Sequence, residues 1–155
     1  MYDKYANLLY RIALTHVASE EDAQDIIQDV FAKYITASPI FRDDEHERAW
    51  FIRVTVNRCR DILRRNKLRN HLSIDDYTHT LEDNSDKTAS LRLEIVSALN
   101  SLPDKYKTVI VLHHFEDLTV EATAKALGLS ISAIKMRLTR GRELLKTILE
   151  KEAIQ

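Results

Sequence analysis

Two glycines and two prolines in 155 residues leave this chain very little of the turn chemistry that a multi-stranded sheet needs. Helix is the architecture that remains. Hydrophobic residues make up 45%, enough for a packed core, while charged residues at 30% are too many for a chain embedded in lipid. No apolar run approaches the roughly 18 residues that a membrane-spanning helix requires. The opening Met-Tyr-Asp-Lys-Tyr lacks the charged-then-apolar layout of a secretory signal. The single cysteine, Cys59, has no partner for an internal disulfide. These features point to an all-α, cytoplasmic protein with no membrane insertion.

The net charge of −1 hides a strong segregation along the chain. Residues 1–45 carry 4 basic and 9 acidic groups, and 48–71 carry 8 basic and 1 acidic. Residues 72–118 return to 4 basic and 9 acidic, and 119–155 carry 7 basic and 4 acidic. Two basic blocks therefore alternate with two acidic ones. Such a layout fits two nucleic-acid-facing surfaces on a chain whose other surfaces meet something else, with plain solvated helix faces as the alternative.

Apolar spacing places the helices. Residues 4–18 set Tyr5, Leu8, Leu9, Ile12 and His16 on one face. Ser19 then precedes Glu20, Glu21 and Asp22, an N-cap followed by acids that suit the positive end of a helix. This second helix buries Ala23, Ile26, Ile27, Val30, Phe31 and Tyr34 and ends before Pro39, with Asp22, Asp25, Gln28 and Asp29 on its other side. Residues 39–46 show no period and read as a loop. A third helix is expected from Arg48 to Arg65, with Trp50, Phe51, Val54, Cys59, Ile62 and Leu63 on its apolar side. Arg53, Asn57, Arg60 and Arg64, at steps of four, three and four, form one polar stripe along it. Residues 66–88 lack paired apolar positions and read as a linker of low order. The chain thus divides into a first domain over 1–67, a linker over 68–89 and a second domain over 90–155.

In the second domain, Leu91, Ile95, Leu99 and Leu102 mark a helix closed by Pro103, and another is expected from Asp104 to Phe115. Thr119 then caps a short helix with Val120, Ala124 and Leu127 inward, and Gly128 supplies a left-handed residue to end it. Leu129 turns inward and Ser130 caps a last helix, whose buried stripe is Ile134, Leu138 and Leu145 and whose exposed side holds Lys135, Arg137, Arg140 and Arg142. Short helix, glycine turn and basic helix is the layout of a helix-turn-helix. Small residues at Ala122, Ala124 and Ala126 let its two helices approach, and the second helix can enter a major groove. Arg and Lys there address guanine or phosphate.

Ser101–Ser130, continuing into Ile134–Arg142, resembles region 4 of the extracytoplasmic-function (ECF) branch of bacterial sigma factors. Glu21–Phe31 resembles the family's region 2.2. Phe41-Arg42, Arg48–Arg58 and Asp61–Arg65 resemble its regions 2.3 and 2.4. The likeness spans nearly the whole chain in family order. It implies a two-domain transcription initiation factor that binds core RNA polymerase and promoter DNA.

The resemblance implies specific roles. Asp22, Asp25, Gln28 and Asp29 would meet the clamp of the largest catalytic subunit, where charge supplies steering more than affinity. The flap of the second largest subunit is a further expected contact on the polymerase. Phe41, Arg42, Arg53, Asn57, Arg60 and Arg64 would bind and melt the −10 element, since separated strands expose bases for stacking while Arg holds phosphate. Trp50 fits the core at least as well as DNA. Lys135, Met136 and Arg140 would face the −35 element, with Ser132 and Arg137 on phosphates. Met136 stands where relatives carry a small or polar residue, and it has no group for a bidentate base contact. Family members are commonly held by an anti-sigma protein, which joins the expected partners.

No Gly-rich phosphate loop, nucleophile–base pair or paired acid cluster is present, so no enzyme activity and no cofactor are expected. Adjacent His113 and His114 are poorly spaced for a metal. Cys59 falls on an apolar helix side, a core position more than a redox one. Read from residues alone, two rivals stand beside the initiation factor. One is a polymerase-independent regulator that uses only 119–145. The other is an interaction module whose acidic helix docks a partner.

Overall fold

A computed structural model describes the backbone of residues 2–70 and 87–154 and the side chains of 2–68 and 94–151. Three helices build the first domain. In α1 (Tyr2–Val17), Tyr5, Leu9, Ile12, Ala13, His16 and Val17 recur at helical spacing and are buried. Ser19, in extended backbone, accepts the Asp22 N–H on its Oγ at 3.3 Å and starts α2 (Glu20–Ala37). That helix closes at Ser38, whose left-handed backbone (φ 43°) lets its N–H reach the Tyr34 carbonyl.

The third helix, α3 (Asp44–Asn70), is longer than the Arg48–Arg65 expected from its apolar pattern. It begins inside the segment read as a loop. Asp43 is the reason: its Oδ1 accepts the His46 N–H at 2.7 Å and its carbonyl accepts the Glu47 N–H at 3.1 Å. Asp44, Glu45 and Glu47 then lie where the helix dipole favours carboxylates. At its far end α3 continues through Lys67, Leu68 and Arg69, all good helix formers, into what was assigned to the linker. The linker is shortened at its other end too, because α4 (Lys87–Asn100) starts before Ser90. The remainder, residues 71–86, lies outside the described residues, as does the side chain of Leu91.

The second domain continues through α5 (Asp104–Ile110), α6 (Val120–Leu127) and α7 (Ile131–Ile154). The helix expected to run unbroken to Phe115 instead widens after Ile110 into a π-helical turn, Val111–Phe115. There the Glu116 N–H donates to the Val111 carbonyl and the Leu118 N–H to the Leu112 carbonyl, both at 3.0 Å. Thr119 Oγ1 accepts the Ala122 N–H, Gly128 takes φ 67°, and Ser130 Oγ accepts the Ala133 N–H. Caps and turn are thus where the residue types placed them. Gly141 is a close approach: a Cβ there would lie 2.9 Å from Ile110 Cδ1, so α5 and α7 touch through it. Among the described residues no helix is long and apolar enough to cross a membrane.

Two cores result, and they do not divide at the domain boundary. One contains Leu99, Leu102, Val109, Ile110, Ala124, Ile134 and Leu138. The other joins Leu9, Ile12, Ile26, Phe51, Ile52 and Val56 of the first domain to Leu112, Leu118, Ala122 and Ala126 of the second. Ala122 and Ala126, expected to ease α6 onto α7, face the first domain instead; Ala124 alone of the three belongs to the second core. Each large side chain so buried contributes roughly 1.5–3 kcal/mol. The two domains are therefore packed as one body.

Candidate nucleic-acid and protein interfaces

The acidic face of α2 is well formed. Asp25, Gln28 and Asp29 are exposed and Asp22 is half-buried beside the Ser19 cap. One of the four is already engaged: Arg58 Nε of α3 donates to Asp29 Oδ2 at 2.8 Å. The chain order that puts Asp29 one turn after Asp25 also brings it over α3, a pairing the sequence reading did not include.

The basic stripe of α3 is less uniform than its spacing implied. Asn57 and Arg64 are exposed and Arg60 is half-buried. Asn57 lines a shallow polar depression between α2 and α3 with Asp29, Lys33 and Asp61. Arg53 points to the second domain, where its Nη2 donates to the Lys125 carbonyl at 2.7 Å and its Nε to the Ala126 carbonyl at 3.0 Å. Arg42 is exposed, and its backbone N–H donates to His46 Nδ1 at 3.1 Å.

Phe41 belongs to an aromatic cluster rather than standing free. Its ring lies parallel to Tyr34 at 6.5 Å and edge-on to Trp50 at 5.9 Å and His46 at 5.5 Å. Trp50 is half-buried against Phe51, perpendicular at 5.0 Å. It is both core and rim. Tyr5 supports this end of the domain: its hydroxyl donates to Glu47 Oε1 at 2.8 Å, and burial with that carboxylate pushes the phenol up to about 12.

The helix-turn-helix presents the cleanest face. Ile134 and Leu138 hold α7 against the second core, and Ser132, Lys135, Met136 and Arg140 are exposed on the side away from it. Met136 is 69% exposed. Arg137 lies at the flank, half-buried, and Arg140 has only a loose pair with Glu143 at 3.6 Å. Behind this face, Ile95, Ile110, Phe115, Leu145 and Leu149 line an open apolar groove of about 570 Å³, rimmed by Arg142 and Lys146. His114 Nε2 accepts from Arg142 Nε at 2.9 Å, and burial with that guanidinium lowers the imidazole's pKa. His113 Nδ1 donates to the Leu118 carbonyl at 2.7 Å, so both histidines bind local partners.

A buried polar cluster between the domains escaped the sequence reading. His16 Nδ1 donates to the Ile12 carbonyl at 2.8 Å, leaving Nε2 to accept from Thr108 Oγ1 at 3.0 Å. Lys107, only 2% exposed, donates to the His16 carbonyl at 2.6 Å and to Asn100 Oδ1. Burial drives the His16 pKa down to about 3, helped by the Lys107 charge, and drives Lys107 down to about 8. Burial pushes the Cys59 thiol up to about 12 against the opposing pull of the Lys107 charge, as befits an unreactive core cysteine. The signal for Lys107 was its position: with Ile110 and Val111 it shares a face at i, i+3 and i+4.

Comparison with known proteins places this geometry. Residues 1–69 match the family Sigma-70 region 2 and residues 92–145 match Sigma-70, region 4. RNA polymerase sigma factor SigV of Bacillus subtilis (strain 168) is 32% identical over 92% of this chain and 85% of that protein. ECF RNA polymerase sigma factor SigW of the same organism is 27% identical over 93% of this chain and 84% of its own length. The structure of CnrH in complex with the cytosolic domain of CnrY superposes with a TM-score of 0.73 at 27% identity, covering 97% of this chain and 85% of that one. Sigma factor RpoE with the anti-sigma factor NepR from Bartonella quintana gives 0.72 at 22% identity over 97% and 98%, a likeness of fold. A region 2 bundle with an acidic α2, followed by a capped region 4 helix-turn-helix, makes the chain a member of the ECF branch of the sigma-70 family, an RNA polymerase sigma factor and not an enzyme.

Proposed function

We propose that this factor, working in the cytoplasm, binds core RNA polymerase and directs it to promoters by reading both the −10 and the −35 element. Asp22, Asp25, Gln28 and Asp29 dock on the clamp of the largest catalytic subunit. The apolar groove between α4 and α7 takes an amphipathic segment of the flap of the second largest subunit, a mode that needs apolar anchors with a polar rim. Phe41, Arg42, Arg53, Asn57, Arg60 and Arg64 hold the melted −10 strand. The aromatic cluster beside Phe41 offers faces for unstacked bases, and the arginines take the phosphates.

In region 4, Lys135 and Arg140 address base edges of the −35 element, while Ser132 and Arg137 bind phosphate. Met136 has only apolar contact to offer, which suits a thymine methyl. The observation that carries this reading is the single exposed face of α7, with Ser132, Lys135, Met136 and Arg140 on it behind a capped N-terminus. The solved relatives CnrH and RpoE are bound to CnrY and NepR. An anti-sigma protein acting on this chain in the same way is part of the reading. Promoter-dependent runoff transcription tests it: core enzyme supplemented with this chain gains specific initiation, and core enzyme that gains none overturns the assignment.

A further inference from the structure

The loop that leads into α3 is held by a histidine at a place where helices ordinarily use a carboxylate or an amide. Asp43 caps α3, and its Oδ1 accepts the N–H of His46, the third helical residue, at 2.7 Å. In the usual reciprocal cap, a Glu or Gln at that third position reaches back to the backbone N–H of the capping residue itself. His46 reaches one residue further, and its Nδ1 accepts the Arg42 N–H at 3.1 Å. An accepting ring nitrogen carries no proton, so the imidazole is neutral with its hydrogen on Nε2.

The same imidazole touches the other loop residue assigned to the −10 strand. It stands edge-on to Phe41, at 88° and 5.5 Å between ring centroids. One turn further along α3, Trp50 meets Phe41 at 61° and 5.9 Å, and Tyr34 of α2 lies parallel to it at 6.5 Å. Phe41 is thus fixed through its ring and Arg42 through its main chain, with the Arg42 side chain left exposed. His46 is common to both restraints.

A loop fixed before DNA arrives avoids the ordering cost that a mobile one meets on binding. In this loop the benefit depends on charge. Protonation of Nδ1 turns an acceptor into a donor and sets it against the Arg42 N–H, so the bond exists only with the neutral ring. An imidazole changes charge between about pH 5 and 8, a range in which a Glu or Gln in the same place would not. We propose that His46 is a positioning residue for −10 recognition: its neutral ring pins Phe41 and Arg42 where they meet the melted strand, and its protonation releases them. The effect on promoters rests on the sigma-factor reading above; the loop contact itself does not. Charges of both signs surround the site. Asp43, Asp44, Glu45 and Glu47 share this end of α3, Lys4 of α1 pairs with Asp44 and Glu47, and Lys125 of α6 pairs with Glu45. Tyr5 of α1 donates to Glu47, and Tyr34 of α2 and Arg42 flank the loop.

The test compares wild type with His46→Asn, whose Oδ1 takes the place of Nδ1 and does not titrate, and with His46→Ala, which has no acceptor. Both variants keep every other titrating group. Hydrogen exchange of the Arg42 amide, followed by NMR in the full chain, reads the loop. At pH 7.5 wild type and His46→Asn should protect that amide about fivefold more than His46→Ala, the size of one net hydrogen bond. At pH 5.5 wild type should fall to the level of His46→Ala, and His46→Asn should not. Equal protection in all three at pH 7.5, or a wild-type profile that follows His46→Asn down to pH 5.5, overturns the contact. Promoter opening is then read as permanganate reactivity of −10 thymines, with core polymerase reconstituted with each form on a mapped promoter. The ratio of wild type to His46→Asn should fall about fivefold from pH 7.5 to 5.5. A constant ratio alongside changing Arg42 protection refutes the role in −10 recognition and leaves the contact standing. Absence of opening with every form at pH 7.5 refutes the sigma-factor reading instead.

Discussion

The helices α3 and α7 carry comparable basic stripes, yet the fold treats them in opposite ways. α7 keeps its buried side for the second core and turns Lys135, Met136 and Arg140 to solvent, with no other element against them. α3 is packed on both flanks and surrenders Arg53 to the end of α6 and Arg58 to Asp29. A basic stripe in sequence therefore describes potential contacts, and tertiary packing decides which of them are free. On α7 the polar face stands clear of neighbouring helices, whereas on α3 Asn57 and Arg64 are exposed and Arg53 and Arg58 are hydrogen-bonded to α6 and α2.

The largest expected effect probes the shared core that causes this difference. Leu112 is fully buried, and although it belongs to the second domain it packs with the first. Leu112→Ala should lower the stability of the whole chain by about 2–5 kcal/mol in urea unfolding. A loss below about 1 kcal/mol would mean that the domains are not packed together.

Next in size is a contrast in DNA binding. Arg140→Ala should weaken binding of the free chain to a duplex bearing a mapped −35 element by about 1–3 kcal/mol. Arg53→Ala should leave that same affinity unchanged and register only in transcription with core enzyme. Equal losses from both would erase the distinction between a free and a withheld stripe.

A smaller effect follows from the polar cluster between the domains. His16 ordinarily titrates at 6.5 and is held at about 3 when buried, so protonation favours the unfolded chain. The stability it lends is fully present above pH 6.5 and lost as pH falls toward 3, by at most about 1.4 kcal/mol per pH unit. Lys107 is held at about 8 instead of 10.5, so its protonated form also favours unfolding and stability rises with pH from 8 to 10.5. The charged groups facing this pair are Arg60 near His16 and Asp104 near Lys107. The urea midpoint of the whole chain should therefore fall between pH 7.5 and 5.5, and a midpoint independent of pH would mean that His16 is not buried in the folded chain. The smallest effect is the exposed Arg58–Asp29 pair, for which a double-mutant cycle should return no more than about 1 kcal/mol.

Local features were legible in the sequence because their causes are local. Ser19, Thr119, Gly128 and Ser130 each act on a backbone group within a few residues, and each sits at the helix end it marks. The start of α3 was hidden because residues 39–46 have no apolar period, although Asp43 followed by three acids was a cap signal in plain view. Lys107 shares a helix face with Ile110 and Val111, but the acceptors that make its burial possible, the His16 carbonyl and Asn100 Oδ1, come from other helices and no local pattern encodes them. The alanines of α6 show the same limit. Small residues announce a close approach, but the partner turned out to be α3 as well as α7. Of the residues assigned to DNA, those on α7 stand where periodicity put them, whereas Arg53 could be placed only by the whole fold.

The most direct test of the central claim is permanganate and nuclease footprinting on a mapped promoter with core polymerase reconstituted with this chain. Simultaneous protection of the −35 element and permanganate reactivity of −10 thymines, the reactivity lost without core enzyme, is the predicted result. No permanganate reactivity when core polymerase and this chain are combined would contradict a factor that directs polymerase to both elements.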